Sequence, residues 1–220
     1  MKKFTLIILL TLFLTFLFNN DVCAYEDEYE MGYGLKLSYV SADQTWDYYT
    51  GSTLDTKPIT TFEIGIFSEW EYTKHFSVVY GVHFIQKGMS FEGPVLDESF
   101  NIIGYKDYIN IANYISLPIL FKLRYKMKSL TPYFIVGPRI DFFVSEKSDA
   151  GNIFEDFALQ TVGIDFGLGC DFNAFEWGRV FIELRMSRDL QEAYETIHVK
   201  VWNETLQITF GINFGDILEL

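Results

Sequence analysis

Hydrophobic and polar residues alternate along much of the chain, and most regularly between Tyr114 and Val144. Strict alternation predicts β-strands, because successive side chains on a pleated backbone point to opposite faces. The polar segment Lys126–Thr131 divides the stretch into two alternating halves. Two strands joined by a short connection predict an antiparallel hairpin.

The same pattern recurs and predicts eight strands, at about residues 32–40, 60–72, 76–89, 108–125, 132–144, 157–172, 179–188 and 206–214. The connections after the first, third, fifth and seventh strands are long, with the second of them at about residues 90–107. Those after the second, fourth and sixth are short. Long loops at one end and tight turns at the other are typical of an outer-membrane barrel, whose short turns face the periplasm.

The two faces of the central hairpin differ in a way that matters for the environment of the protein. One face is bulky and apolar for about ten residues, which is what a tilted strand needs to cross a bilayer. The other carries Lys122, Arg124, Arg139 and Asp141. A membrane barrel turns the apolar face to lipid and the charges inward. A soluble periplasmic barrel of the lipocalin kind would instead keep the bulky face inside for an apolar ligand, and periodicity alone leaves both hypotheses open.

The amino terminus favours export. Met1–Lys3 is basic, Phe4–Phe18 is apolar apart from threonines, and Val22–Ala24 offers small residues at a cleavage site. This predicts a signal peptide at residues 1–24, an acidic lead-in at 25–31 and a barrel domain at 32–220. Removing 24 residues from the 220 leaves 196, which suits one domain.

Composition narrows the class further. The net charge of −13 argues against binding nucleic acid. Cleavage would leave Cys170 as the single cysteine, so no internal disulfide is expected. Aromatic residues make up 18% of the chain, as in membrane barrels with aromatic girdles. Later apolar stretches are too short for a transmembrane helix, so any crossing would use strands.

The predicted fold class is therefore all-β: an eight-stranded antiparallel up-and-down transmembrane β-barrel in an outer membrane. Unpaired backbone groups in hydrocarbon cost several kcal/mol each, so the last strand must pair with the first. Inward glycines such as Gly34, Gly163 and Gly211 are expected to make room for long charged neighbours in a narrow lumen.

Two strands carry a family resemblance. The segments Tyr114–Lys122, reading YISLPILFK, and Pro132–Pro138, reading PYFIVGP, resemble those of the PorT-like outer-membrane β-barrel proteins. The resemblance implies an eight-stranded barrel in the outer membrane. It also implies a link to protein secretion, since the name-giving member is similar to secretion components. The family has no catalytic motif, so no residue role is carried over.

Charged residues on the inward faces are predicted to form ion pairs that fill the lumen, because a buried charge must be paired. This predicted network comprises Lys36, Glu63, Glu69, Lys122, Arg124, Arg139, Asp141, Asp165, Asp171, Glu183 and Arg185. A narrow pore or proton path is the functional alternative. For Lys122 the expected partner is Asp141, Asp165 or Glu183.

Aromatic residues near the short turns are predicted to form a periplasmic girdle at the lipid headgroups. They are Trp70, Tyr72, Phe76, Tyr125, Tyr133 and Trp177. Expected partners are outer-membrane lipid and lipopolysaccharide, together with a possible protein partner at the extracellular loops or periplasmic turns. Aromatic loop residues such as Trp46, Tyr49 and Tyr105 suit such a contact, or else a solvated rim.

We expect a non-enzymatic barrel that anchors, scaffolds or contacts a partner, without catalytic residues, cofactor or metal. The enzymatic alternative is a small barrel that hydrolyses or transfers lipid acyl chains, which needs His with Ser and a carboxylate near the outer rim. His198, Ser187 and Glu195 are the candidates for that chemistry.

Overall fold

The computed structural model describes residues 30–49, 51, 54–97, 99, 101–127, 130–149, 157–175, 178–195 and 199–215. The predicted signal peptide lies outside these residues, and the first strand begins at Glu30, inside the predicted lead-in. No helix in the described ranges is long and apolar enough to cross a membrane.

Ten strands lie within the described residues: β1 (Glu30–Tyr48), β2 (Thr56–Lys57), β3 (Ile59–Thr73), β4 (Phe76–Leu96), β5 (Ile102–Arg124), β6 (Leu130–Ser148), β7 (Gln160–Phe175), β8 (Gly178–Asp189), β9 (Tyr194–Glu195) and β10 (Val199–Phe214). Eight of them form a closed antiparallel ring in the order β1-β3-β4-β5-β6-β7-β8-β10. The short strands β2 and β9 pair with β4 and β10 outside this order.

The ring closes between the first and last strands. β1 pairs with β10 in continuous register from Tyr33 opposite Phe214 to Tyr48 opposite Val199. Each ring strand therefore has a hydrogen-bonded neighbour on both sides along its central part, as a strand in hydrocarbon requires. The predicted fold class, an eight-stranded antiparallel up-and-down barrel, is confirmed.

Apolar side chains cover the outside of the ring, and charged and polar ones fill the inside. Leu37, Ile66 and Leu168 are among the exposed apolar residues, whereas Lys36, Glu63 and Arg139 are buried. This is the polarity of a membrane barrel. A ligand-binding soluble barrel needs the bulky face inside, and the structure places that face outside.

The turns after β3, β5 and β7 define the turn end of the barrel, and the connections after β1, β4, β6 and β8 define its loop end.

The strands are longer at the loop end than the sequence predicts. β1 continues from the predicted limit at Val40 to Tyr48, and most of the predicted loop at 90–107 belongs to β4 and β5. The loop predictions were wrong there because Gly93, Pro94 and the polar residues around them are accommodated within a ladder beyond the expected membrane span.

The β4–β5 pair projects beyond the ring at the loop end. β4 and β5 have 21 and 23 residues, about twice the length that crosses a bilayer. β3 pairs with β4 only as far as Ile85, and β6 pairs with β5 only from Asn110. We call the part of β4 after Phe91 and of β5 before Ile109 the projecting hairpin.

Gly88 allows the two long strands to approach each other below the hairpin. Its φ of 150° is one that residues with a side chain rarely adopt. A Cβ at this position would also run into the backbone carbonyl of Asn110 on β5. The glycine therefore meets both a conformational and a steric requirement.

The inside-out arrangement can be tested on β5. Ile119 is 51% exposed on the outer face. Replacing it with arginine should destabilise the barrel in bilayers by about 2–4 kcal/mol, the cost of a cation facing lipid near the midplane. Reversible urea unfolding in lipid vesicles measures this, with Ile119→Leu as the matched apolar control. Equal stability of the two variants would contradict the assignment of this face to lipid.

Candidate functional site

The lumen is the part of the molecule where charged side chains meet. Alternate residues of each ring strand point inward, so the strand period brings charges from different strands together. Each of the eleven residues predicted for the lumen network is buried and takes part in at least one ion pair. The pairs form three groups along the barrel axis.

The turn-end cluster contains three carboxylates and three cations that are mostly buried: Glu69, Glu71, Asp171, Lys122, Arg124 and Arg179. Lys122 Nζ lies 3.3 Å from Glu69 and 2.9 Å from Asp171. Glu71 lies 2.5 Å from both Arg124 and Arg179. Charges of opposite sign are therefore matched one to one at this end.

Glu69 joins the two halves of this cluster. It accepts hydrogen bonds from Ser77 Oγ at 2.7 Å and from Asn213 Nδ2 at 2.8 Å. Arg124 and Arg179 lie farther away, at 3.8 and 3.7 Å. A buried carboxylate with this many partners has its desolvation offset by hydrogen bonds and opposite charges together.

The waist of the lumen holds two ion pairs and a histidine. Lys36 Nζ lies 2.5 Å from Glu63, and His83 Nδ1 lies 3.1 Å from the same carboxylate. Arg185 lies 2.5 Å from Glu183 and 3.6 Å from Asp165. His83 is buried beside these pairs.

A small cavity of about 20 Å³ remains at the waist, lined by residues that include Lys36, His83 and Tyr133. That volume is enough for about one water molecule. Among the described residues, this cavity is therefore too small to hold a column of water.

The loop-end cluster contains Lys87, Arg139, Asp141, Asp165 and Asp189. Arg139 pairs with all three carboxylates: with Asp141, with Asp165 at 2.9 Å and with Asp189 at 2.6 Å. Lys87 lies 2.6 Å from Asp141 and 3.3 Å from Asp189. These buried charges pair mainly with one another, and the side-chain amide of Asn203 donates to Asp189 at 2.8 Å.

The sequence prediction omitted four of these cluster members: Glu71, Lys87, Arg179 and Asp189. Their strand phase places each on an inward face, and Lys87 lies in phase with His83 on β4. Glu71 shares the phase of Glu63 and Glu69 on β3, and Asp189 lies one residue beyond the predicted end of its strand but in phase with Arg185. The predicted partners of Lys122 were also wrong, because the strand stagger brings Glu69 and Asp171 to it instead.

An aromatic plug closes the lumen above the loop-end cluster. Its rings form a chain across the mouth, with centroid distances of 5.5–6.5 Å between consecutive members: Tyr114, Phe143, Phe157, Tyr194, Trp46 and Tyr48. Lys87 Nζ lies 5.0 Å from the centre of the Tyr114 ring, so a cation–π contact joins the plug to the loop-end cluster.

Backbone hydrogen bonds hold the plug in place. Ala158 N donates to the carbonyl of Ala193, and Ala193 N donates to that of Val201, both at 2.8 Å. These bonds tie the connection before β7 and the connection before β10 to each other and to the ring. Trp46 is only 5% exposed, so it cannot serve the loop contact considered for it from sequence.

Aromatic rings, rather than long charged chains, fill most of the space above the lumen glycines. A Cβ at these glycines would overlap a neighbouring ring, with Phe67 over Gly34, Phe181 over Gly211 and Tyr133 over Gly169. Phe67 and Phe181 also meet edge to face at 5.6 Å. Gly163, beneath Arg139, is the case that matches the expectation.

The outer girdle at the turn end contains most of its predicted members. Trp70, Tyr72 and Tyr125 are exposed, and Phe76 lies 6.1 Å from Tyr72. The prediction that Tyr133 belongs to this girdle was wrong. Tyr133 is 5% exposed and points inward, where its hydroxyl donates to Glu183 at 3.0 Å. Its place in the alternation, in phase with Arg139, sets this direction. Trp177 lies outside the described residues.

The residues considered for acyl chemistry are not brought together in the described part of the chain. Ser187 is buried on the inward face of β8, and His198 lies outside the described residues. Within the described ranges, no group of three or more His, Cys, Asp or Glu residues is arranged to hold a metal ion.

Comparison with known proteins identifies the domain. A family model described as outer membrane protein beta-barrel domain matches residues 26–220. No curated protein matches the chain.

Several solved structures are similar at low identity. Ail of Yersinia pestis is 14% identical, with 84% of this chain and 99% of that one covered and a TM-score of 0.36. Neisserial surface protein A is 8% identical, covered over 84% and 96%, with a TM-score of 0.49. OprG of Pseudomonas aeruginosa is 12% identical, covered over 84% and 95%, with a TM-score of 0.44.

The turn-end cluster generates a rescue experiment. Lys122→Met should destabilise the barrel by about 3–5 kcal/mol, because Asp171 is left buried without its cation. Adding Asp171→Asn should recover much of that loss, measured by reversible unfolding in lipid or detergent. Glu69→Gln is the matched control and should not rescue, since it weakens the contacts of Arg124 and Arg179. Rescue by Glu69→Gln alone would show that the pairing is assigned wrongly.

Proposed function

The chain belongs to the family of outer membrane protein β-barrel domains, and on that premise we propose a non-enzymatic barrel that holds a protein-contacting surface at the membrane. Its environment is outer-membrane lipid and lipopolysaccharide. We place the turn end in the periplasm and the loop end outside, as in other barrels with short and long connections. Export through a cleaved signal peptide at residues 1–24 is part of the proposal.

The closed lumen is the observation that carries this function. Ion pairs fill the barrel at three levels, and the aromatic plug lies across its loop end. An eight-stranded barrel has room for side chains but little more. A lumen filled in this way favours a role for the outer surfaces over transport through the interior.

The projecting hairpin supports contact with a partner. Ile103 and Tyr105 are each 67% exposed, well beyond the paired part of the ring. Apolar side chains held on a ribbon away from the membrane are suited to recognition rather than to anchoring, which the outer apolar belt already provides.

The finer family assignment is a PorT-like barrel connected with protein secretion. It rests on the segments Tyr114–Lys122 and Pro132–Pro138. Pro118 in the first is buried in the lumen and Pro138 in the second is exposed on the outer face. The resemblance supports an accessory role in an assembly and carries no catalytic residue.

Conductance separates a closed barrel from a pore. The purified mature chain, inserted in planar bilayers, should give no stepwise conductance above the bare membrane. A porin with a water-filled lumen serves as the positive control. Reproducible steps from the protein would contradict a lumen closed by ion pairs and would favour the pore alternative.

Partner contact can be tested in cells by site-specific photo-cross-linking. A photoreactive residue at Ile103 should give discrete adducts with another protein. The same residue at Ile119, which faces lipid, is the matched control and should give none. Adducts from Lys74 alone would move the contact to the turn end. The absence of protein adducts from both ends would overturn the proposed role.

A further inference from the structure

Within the described ranges, no strand pairs with the outer edge of β5 in the projecting hairpin, which presents a row of backbone hydrogen-bonding groups. The last bond to this edge in the described residues is from Asp149 N to Ile109 O, at 3.0 Å. In an antiparallel ladder, alternate residues direct both backbone groups to the same side. Tyr105 and Asp107 share the phase of Ile109 in an unbroken register with β4, so their N–H and C=O groups face this open edge. Ile103 lies beyond them, at a register shift where it has no residue opposite it on β4.

The opposite edge of the hairpin is protected. Pro94 on β4 lies across from Tyr105 and has no N–H to offer a further strand. Next to the hairpin, β2 covers the same edge of β4 at Ser90 and Phe91. Proline and short covering strands are two ways in which sheets block unwanted pairing. One edge of the described hairpin is thus blocked, while the β5 edge is left open.

The side chains along the open edge define what would fit beside it. Ile103 and Tyr105 are both exposed apolar residues, and Asp107 follows Tyr105 by two residues. The Asp107 carboxylate is more than half exposed and lies 3.0 Å from Lys57 Nζ, which is also 3.9 Å from Glu92. A strand on this edge would need apolar side chains opposite Ile103 and Tyr105 and a basic one near Asp107.

We propose that the β5 edge at Ile103–Asp107 binds an extended segment of a partner protein as an added β-strand. In such binding, main-chain hydrogen bonds supply affinity and alternate side chains supply specificity. The segment is apolar at alternate positions and basic at the end near Asp107, which also suits a chain of net charge −13. This inference rests on the proposed partner-contacting function and names the chemistry of the contact.

The partner is a different chain rather than a second copy in the same membrane. Copies inserted in one membrane share an orientation, so their β5 edges run in the same direction. They cannot form the antiparallel pairing that is the more stable per residue. A soluble segment, free to take either direction, has no such restriction.

The test uses the full mature chain in lipid nanodiscs and a nine-residue probe of alternating valine and threonine with two lysines at one end. Saturable binding of the probe is expected by fluorescence anisotropy. Methylating alternate backbone nitrogens of the probe removes the hydrogen-bond donors along one of its edges. This should weaken binding at least about tenfold, because each lost hydrogen bond is a large part of the small free energy of binding of a short peptide. Glutamates in place of the lysines should weaken binding as well.

Tyr105→Pro is the decisive variant, because it removes an outward N–H without removing a bond to β4. It should weaken the probe at least about tenfold, whereas Tyr105→Ser, which keeps the N–H, should weaken it less. Heat-dependent gel mobility checks that both variants still form the barrel. Equal binding to Tyr105→Pro and wild type, or to the methylated and plain probes, would overturn the proposal. So would dimers that depend on Tyr105, since they would make a second copy the occupant.

The two proposals fail in different ways. If the probe does not bind through the edge while Ile103 still cross-links to a protein in cells, strand addition is wrong and partner contact stands. If Ile103 gives no adducts in cells, partner contact itself is wrong at this end of the barrel.

Discussion

Closure of the backbone hydrogen-bond ring is the constraint on which the rest of this structure depends. A strand edge in hydrocarbon leaves N–H and C=O groups without partners, and each costs several kcal/mol. Pairing of β1 with β10 removes that edge along the membrane-spanning part. Once the ring is closed, every ring strand has one face toward lipid and one toward a narrow interior, and the composition of both faces follows.

The interior then has to accommodate charge without bulk water. Seven cations and eight carboxylates of the described lumen are distributed so that each is within ion-pairing distance of an opposite charge. Buried pairs of this kind add little net stability, because desolvation offsets their attraction. Their larger effect is on register: a strand shifted by one residue would turn its charges to lipid and apolar residues to the lumen. The ion pairs therefore favour this strand register over registers shifted by one residue.

The ends of the barrel follow a different rule from its centre. At the turn end, the strands stop close to the exposed residues Trp70 and Tyr72, whose rings suit the headgroup region. At the loop end, aromatic residues from the strands and connections pack into a plug, and β4 and β5 continue beyond it. Outside the hydrocarbon an unpaired edge no longer carries the same penalty, because water can satisfy its groups. An open edge such as that of β5 is tolerated only there, which is where a partner could reach it.

The alternation of residues was enough to determine the fold class and the face of most side chains. From Tyr114 to Arg124, the assignment made from sequence agrees with the structure at each position, because a strand period of two needs no knowledge of neighbours. The inward location of Lys36, Glu63, Arg139 and the other predicted network residues follows from the same period.

Alternation within one strand does not predict which side chains of different strands meet, because the stagger between strands decides this. The partners of Lys122, the place of Asp189 in the loop-end cluster and the rings that cover Gly34 and Gly211 depend on which residues lie opposite each other around the ring. Alternation also did not predict the length of β4 and β5, because Gly93 and Pro94 are typical of loops but lie here in a paired ribbon. Local sequence determines the direction of a side chain, and only the closed ring, with its tilt and register, decides what that side chain meets.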